Sequence, residues 1–157
     1  MAADSLLAQV FAFGTLSYLT RWKLMPNILL LEDDFALAAH LRDLLEEQGH
    51  CVKWCKKGNE ALAALEESEY DMLITDVFLY EDGELIEDSS LHLLRKLRKS
   101  EPWASKNLPI LAISGDVARS QYAPGLELLV AWGAQRGMRK PFTDAEITSA
   151  VSEMLEA

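Results

Sequence analysis

Residues Asn27–Asp34 read NILLLEDD, and this segment sets the class of fold. NILLL is a short, continuous apolar run, which is typical of a strand buried on both of its faces. The acidic tripeptide Glu32-Asp33-Asp34 follows directly, where such a strand would reach the edge of its sheet. Strands of this kind occur mainly in parallel sheets, so a helix should follow each strand in the rest of the chain.

The same order of strand and then helix repeats as far as the last residues. The predicted strands are Asn27–Leu31, His50–Cys55, Asp71–Thr75, Leu108–Ile113 and Gly137–Arg139. The predicted helices are Phe35–Gln48, Glu60–Glu67, Ser89–Lys99, Leu126–Trp132 and Asp144–Leu155. This alternation predicts an α/β fold, in which a parallel sheet is covered by helices on both faces.

Composition excludes several classes of function. The chain has 157 residues, with 15 basic and 25 acidic side chains and a formal net charge of −10. Nucleic-acid binding needs clustered Lys and Arg, so the balance argues against it, and it also disfavours adhesion to an anionic membrane. Two cysteines without a CxxC motif favour a reducing compartment, and we expect a cytoplasmic protein.

Residues 1–24 differ from the rest of the chain. Ser5–Leu19 is an uncharged, mostly apolar run that is too short to span a bilayer, and only Asp4 precedes it, unlike the basic start of a secretory signal. Apolar side chains recur near helical spacing at Leu6, Val10 and Phe13. We predict an amphipathic helical extension that packs on its own domain or on a second copy, as a homodimer. The alternative is that Met25 is the natural start.

Polar residues stand at the carboxyl ends of four predicted strands, where ligands of such sheets bind. They are Glu32, Asp33 and Asp34, then Asp76, Ser114 and Lys140. Clustered carboxylates with open positions suit Mg²⁺, which favours substrates that carry phosphate. A carboxylate can itself accept a phosphoryl group, and an ammonium and a hydroxyl can stabilise the transferred charge. Trp54–Lys57, at the end of the second strand, have no evident partner.

Together these motifs resemble the response-regulator receiver domain of two-component signalling. The resemblance rests on ILLLEDD, ITD, LPILAISG and RKPF, each at a predicted strand, and it covers Met25–Ala157. It implies a flavodoxin-like, doubly wound sheet of five strands in the order 2-1-3-4-5, with the domain over residues 25–157.

The resemblance also implies roles for individual residues. Asp76 would be the phosphoacceptor, and Ser114 and Lys140 would contact the phosphoryl group. The cofactor would be Mg²⁺, with ligands from Glu32 (mainly through water), Asp33, Asp76 and the backbone carbonyl of Phe78. The Lys140–Pro141 bond would be cis. Asp34 needs no such role, because an Asp between a strand and a helix is often only the N-cap, and we predict that Asp34 caps the first helix.

Three departures from the family pattern concern the output surface. Gly137 stands where the family usually has an aromatic residue that swings inward on activation. The segment 79–88 after the acceptor is longer and more acidic than usual, and a second insertion, at residues 116–125, delays the fourth helix.

We predict a signalling protein that accepts a phosphoryl group, not an enzyme. We expect it to be a stand-alone receiver, because the sequence shows no output domain after the last predicted helix. Its partners would be a sensor histidine kinase or a histidine phosphotransfer protein, and a downstream protein target. One alternative is a receiver-like adaptor that does not use phosphate. Another is a Mg²⁺-dependent phosphohydrolase with an aspartyl nucleophile, but the position of its second acid is occupied by Phe78.

Overall fold

The computed structural model describes residues 25–86, 89–99, 107–115, 129–131 and 133–157. The extension predicted over residues 1–24 and the insertion over residues 116–125 lie outside these ranges. Of the helix predicted over residues 126–132, only residues 129–131 are described, and they are helical.

Seven strands lie in the described ranges. In chain order they are β1 (Asn27–Leu31), β2 (Cys51–Cys55), β3 (Met72–Asp76), β4 (Tyr80–Glu81), β5 (Glu84–Leu85), β6 (Ile110–Ser114) and β7 (Arg136–Arg139). Five of them form one sheet in the order β2-β1-β3-β6-β7, and every pairing in it is parallel. This arrangement confirms the predicted order 2-1-3-4-5, once the separate β4–β5 hairpin is set aside.

Helices cover both faces of the sheet. They are α1 (Phe35–Glu47), α2 (Gly58–Glu67), α3 (Ser90–Lys99) and α4 (Asp144–Glu156). Successive residues of β1 point to opposite faces, so Ile28 packs with α1 and α4 while Leu29 packs with α2 and α3. The predicted doubly wound α/β fold is therefore confirmed. No helix among the described residues is long and apolar enough to cross a membrane.

The ends of the elements show how the sequence sets them. Asp34 caps α1, as predicted, because its carboxylate accepts the backbone N–H of Leu37 at 2.9 Å. After α1 the chain turns at Gly49, whose φ of 90° is a conformation that glycine adopts readily. The two strands that carry Asp76 and Ser114 end one residue later than predicted, so these residues are the last of β3 and β6 rather than the first beyond them. The other differences between predicted and observed strands lie at the start of β2, β3, β6 and β7 and are of one or two residues.

The acidic segment after β3 contains a β-hairpin that was not predicted. Strands β4 and β5 pair antiparallel around Asp82 and Gly83, whose φ angles are 52° and 83°. Two consecutive positive φ angles are typical of a type I′ turn, for which Asp-Gly is a preferred sequence. Asp82-Gly83 was therefore a sequence signal for the turn. The two strands are too short to show the alternation of apolar and polar residues by which strands are predicted.

Candidate functional site

Two neighbouring strands bring three carboxylates together at one edge of the sheet. Glu32 and Asp33 follow β1, and Asp76 ends β3, which pairs with β1 in parallel register. One carboxylate oxygen from each of the three lies within 4.8 Å of the others. The structure thus brings together the acidic residues to which the sequence analysis assigned the metal and the phosphoacceptor.

Lys140 reaches this cluster from the loop after β7. Its Nζ lies 2.8 Å from Glu32 Oε2 and 2.5 Å from Asp76 Oδ2. The Lys140 backbone N–H donates to the carbonyl of Ser114 at 2.7 Å, which fixes the loop to the end of β6. The Lys140–Pro141 peptide bond is cis, as the resemblance implies.

Glu32 is the most perturbed carboxyl group of the site. Its side chain is buried, and burial together with the nearby charge of Asp76 raises its pKa from 4.5 to about 7. The Lys140 ammonium and a hydrogen bond from the Asp34 N–H, at 3.1 Å, oppose this rise. The protein therefore pays a free-energy cost to hold this carboxylate ionised, and a cation bound nearby would reduce that cost.

Asp33 and Lys140 respond differently to burial. Burial raises the pKa of Asp33, while the Tyr80 N–H donates to its Oδ2 at 3.1 Å and partly offsets the rise. Burial alone would lower the pKa of Lys140, but the negative charges of Asp76 and Glu32 outweigh burial and raise it. Lys140 therefore keeps its positive charge at the centre of the acidic cluster.

Two buried hydroxyl groups form a chain of hydrogen bonds that ends at the backbone carbonyl of Asp76. Thr75 Oγ1 donates to Ser90 Oγ at 2.7 Å, and Ser90 Oγ donates to the backbone carbonyl of Asp76. Both hydroxyl residues are fully buried, so these bonds hold the end of β3 against the start of α3. Sequence reasoning missed Ser90, because a serine at the start of a helix is common and carries no sign of this contact.

Phe78 and Ser114 lie next to the acidic cluster. The Phe78 backbone N–H donates to Asp76 Oδ1 at 3.1 Å, which orients the carboxylate. Ser114 is fully buried, and its hydroxyl donates to the carbonyl of Gly115 at 3.2 Å. The metal contact of Phe78 and the phosphoryl contact of Ser114 stay predictions.

Three residues at the end of β2 and just beyond it, Trp54, Lys56 and Lys57, do have partners, so the prediction that they have none was wrong. Trp54 Nε1 donates to the backbone carbonyl of Glu32 at 2.8 Å, and Lys56 Nζ lies 5.2 Å from the centre of the Trp54 ring. Lys57 pairs with Glu81 of the unpredicted hairpin, with 2.7 Å between Nζ and Oε1. The contacts with Glu32 and Glu81 join segments far apart in the sequence, so no local pattern could have predicted them.

The donor set fits Mg²⁺. Three carboxylates offer hard oxygen ligands at the edge of the sheet, and Asp33 is partly exposed, which leaves a side open to water and substrate. The raised pKa of buried Glu32 also favours a cation site. It indicates that Lys140 and the hydrogen bonds do not fully compensate the negative charge of the ionised carboxylate.

The family model described as the response regulator receiver domain matches residues 28–152. Among curated proteins, the phosphate regulon transcriptional regulatory protein PhoB of Rhizobium meliloti is 33% identical over 132 residues, which are 84% of this chain and 53% of that protein. The sensor kinase CckA of Brucella abortus is 32% identical over 133 residues, which are 83% of this chain and 12% of the kinase. The chain spans about half the length of curated relatives such as PhoB.

Solved structures of a response regulator and of a receiver domain have folds similar to that of this chain. A putative response regulator from Chloroflexus aurantiacus has a TM-score of 0.68 at 27% identity, covering 85% of this chain and 99% of that one. The receiver domain of a sensor histidine kinase from Pseudomonas aeruginosa, with a magnesium ion in its active-site cleft, has a TM-score of 0.69 at 20% identity, with the same coverage. The second likeness concerns the fold alone. The chain belongs to the response regulator receiver domain family of two-component signalling.

Proposed function

We propose that this chain accepts a phosphoryl group on Asp76 in a Mg²⁺-dependent reaction. The donor would be a phosphohistidine of a sensor histidine kinase or of a histidine phosphotransfer protein. The phosphorylated domain would then signal through contact with a downstream protein. On this proposal the chain has no substrate turnover beyond slow self-phosphorylation and self-dephosphorylation.

One observation carries the proposal: the ammonium of Lys140 lies within 2.8 Å of two carboxylates, Asp76 and Glu32, at the carboxyl edge of a parallel sheet. An acceptor oxygen and a fixed cation next to it are what phosphoryl transfer needs from a protein, because the reaction depends on positioning and charge compensation.

The proposed step balances without a further co-reactant. A carboxylate oxygen of Asp76 attacks phosphorus and forms a P–O bond, while the P–N bond to the donor imidazole breaks and the imidazole leaves with the electron pair. The Phe78 N–H holds the carboxylate in orientation from Oδ1. Lys140, beside Oδ2, is placed to pair with a phosphoryl oxygen and to offset its negative charge.

Mg²⁺ would be held by Asp33, Asp76, the Phe78 carbonyl and, mainly through water, Glu32. When bound, the ion supplies positive charge at the phosphoryl oxygens. The protein's own part is to keep the carboxylates close together and to orient them, which the Tyr80 and Asp34 N–H groups do for Asp33 and Glu32.

Intact-mass measurement after incubation with acetyl phosphate tests the proposal. We expect one phosphoryl adduct on the wild-type chain in Mg²⁺ and none in EDTA. Asp76→Asn should give no adduct, whereas Asp34→Asn, which removes a neighbouring carboxylate that only caps α1, should be labelled like the wild type. A chain that binds Mg²⁺ by calorimetry but takes no label would contradict the proposal and favour the phosphate-independent adaptor.

The domain limits, the stand-alone organisation, a homodimer through residues 1–24 and a cytoplasmic location stay predictions. The same holds for Ser114 as the group that follows the phosphoryl group during switching. These points concern the whole protein and its partners, and the relatives that would inform them extend well beyond the matched region.

A further inference from the structure

The β4–β5 hairpin reaches the metal side of the site through its first residue. The backbone N–H of Tyr80 donates to Asp33 Oδ2 at 3.1 Å. A hydrogen bond to one carboxylate oxygen fixes the plane of the group and therefore the direction of its other oxygen. The hairpin is thus in direct contact with the carboxylate that we assign as a direct metal ligand.

An ion pair to the domain and a hydrogen bond across its base fix the position of the hairpin. Lys57, the residue that precedes α2, forms an ion pair with Glu81 with 2.7 Å between Nζ and Oε1. Directly beyond the two strands, the Ile86 N–H donates to the carbonyl of buried Leu79 at 3.0 Å and closes the base of the hairpin. These contacts determine where the Tyr80 N–H lies, since Tyr80 sits between Leu79 and Glu81.

The turn at the tip also contributes to the position of Tyr80. Gly83 has a φ of 83°, in the left-handed region where a side chain causes strain. No heavy atom lies within 4 Å of where a Cβ on Gly83 would stand, so an alanine there would strain the backbone without a steric clash. Gly49 shares both properties, with a φ of 90° and open space, and it lies at the end of α1 instead.

We propose that the β4–β5 hairpin is a positioning element for Mg²⁺ binding. Through its ion pair with Lys57, Glu81 holds the Tyr80 N–H against Asp33, and an ordered hairpin thereby raises the affinity for the ion. The hairpin takes no part in phosphoryl transfer once the metal is bound. The inference rests on the proposed function for the identity of the metal site.

The first test compares two charge-neutralising variants of the same hairpin. Glu81→Gln removes the ion pair, whereas Glu84→Gln removes an equal charge at the position that pairs with Glu81 across the hairpin. Mg²⁺ affinity of the unphosphorylated full chain is measured by calorimetry. Because exposed ion pairs are weak, we expect Kd to rise only about threefold in Glu81→Gln and by less than about twofold in Glu84→Gln. Equal effects of the two variants would show that only the charge matters and would overturn the inference.

The second test leaves every charge in place. Gly83→Ala strains the hairpin turn, and Gly49→Ala applies matched strain away from the site. We expect Gly83→Ala to raise the Kd for Mg²⁺ by about threefold or more, and Gly49→Ala to lower thermal stability with an unchanged Kd. An unchanged Kd in Gly83→Ala would overturn the inference.

Labelling kinetics separate positioning from chemistry. In Glu81→Gln and Gly83→Ala, the Mg²⁺ concentration that gives half-maximal labelling by acetyl phosphate should rise, while the rate at saturating Mg²⁺ stays at the wild-type value. A lower plateau with unchanged half-saturation would contradict the inference. If the Kd values shift as expected but Asp76 takes no label, the proposed function fails and the hairpin inference stands. If the wild type is labelled but the hairpin variants behave like their controls, only the hairpin inference fails.

Discussion

Glu32 is the most deeply buried of the three site carboxylates, with 1% of its surface exposed against 7% for Asp76. Burial and the charge of Asp76 raise its pKa to about 7, and Lys140 at 2.8 Å compensates only in part. A pKa near 7 predicts that Glu32 of the metal-free protein gains a proton as the pH falls through neutrality. On the proposed function, a divalent cation would compete with this proton for the Glu32 carboxylate.

This competition predicts a pH dependence of Mg²⁺ affinity. With a pKa of about 7, the ionised fraction of Glu32 rises from about a tenth near pH 6 to about nine tenths near pH 8. The affinity for Mg²⁺ should increase by up to about ninefold over that range, because a cation needs the ionised form. Calorimetric titrations at several pH values measure it, with Glu32→Gln as the variant that should show little dependence. An affinity for the wild type that is flat with pH would contradict the assigned role.

The charged residues of the site could be predicted from the sequence, because they follow or end predicted strands. The carboxyl ends of parallel strands lie at one edge of the sheet. That rule placed Glu32, Asp33, Asp76 and Lys140 together before any distance was known. It could not predict the second layer of contacts, such as Ser90 behind Asp76 or Trp54 against the Glu32 carbonyl. Those contacts depend on how helices and loops pack over the sheet, and side-chain type alone does not encode that.

At the scale of single elements, Asp34 has a structural role as the cap of α1, unlike the three carboxylates of the proposed metal site. Asp34 accepts the Leu37 N–H at 2.9 Å, and this hydrogen bond satisfies one of the free donors at the start of the helix. We expect Asp34→Ala to lower the free energy of unfolding by about 1 kcal/mol, and Asp34→Asn to keep most of it because asparagine caps equally well. Urea denaturation measures both. Equal stability of the alanine and asparagine variants would show that the cap contributes nothing.

Elements with one buried face were predictable, and the hairpin was not. Helix α1 presents Ala38, Leu41 and Leu45 to the core, and this spacing is visible in the sequence. In β4 and β5, Tyr80 and Leu85 are exposed partners, so no buried stripe marks these strands. The acidic composition of the segment is typical of a solvated loop, so Asp82-Gly83 alone was not enough to predict a hairpin turn there.

At the scale of the whole molecule, the strand order required more than alternation. Repeated strand and helix units predict a parallel sheet, but several orders satisfy that pattern. The order 2-1-3-4-5 came from the resemblance to receivers, and the observed order β2-β1-β3-β6-β7 confirms it. The same order places β1 next to β3, which is why carboxylate oxygens of Asp33 and Asp76 lie within 4.8 Å of each other, as the proposed Mg²⁺ site requires.

The domain limits predict the behaviour of a shortened chain. Among the described residues, the five strands of the sheet, the helices on both its faces and the site residues lie between Asn27 and Glu156. A chain of residues 25–157 should therefore fold and take the phosphoryl label at the rate of the full chain. Light scattering after size exclusion compares the two chains, and a dimer seen only with residues 1–24 present would support the predicted homodimer. Failure of the shorter chain to fold would show that these residues are part of the domain.

Chemical mapping of the phosphorylated residue tests the central claim most directly. The full chain is incubated with acetyl phosphate and Mg²⁺ and then reduced with borohydride, which converts an aspartyl phosphate to homoserine, and its peptides are sequenced by mass spectrometry. We predict homoserine at position 76, only when Mg²⁺ is present, and none at Asp33 or Asp34. Homoserine at another position, or a phosphoryl adduct that yields no homoserine at all, would contradict the assignment of Asp76 as the acceptor.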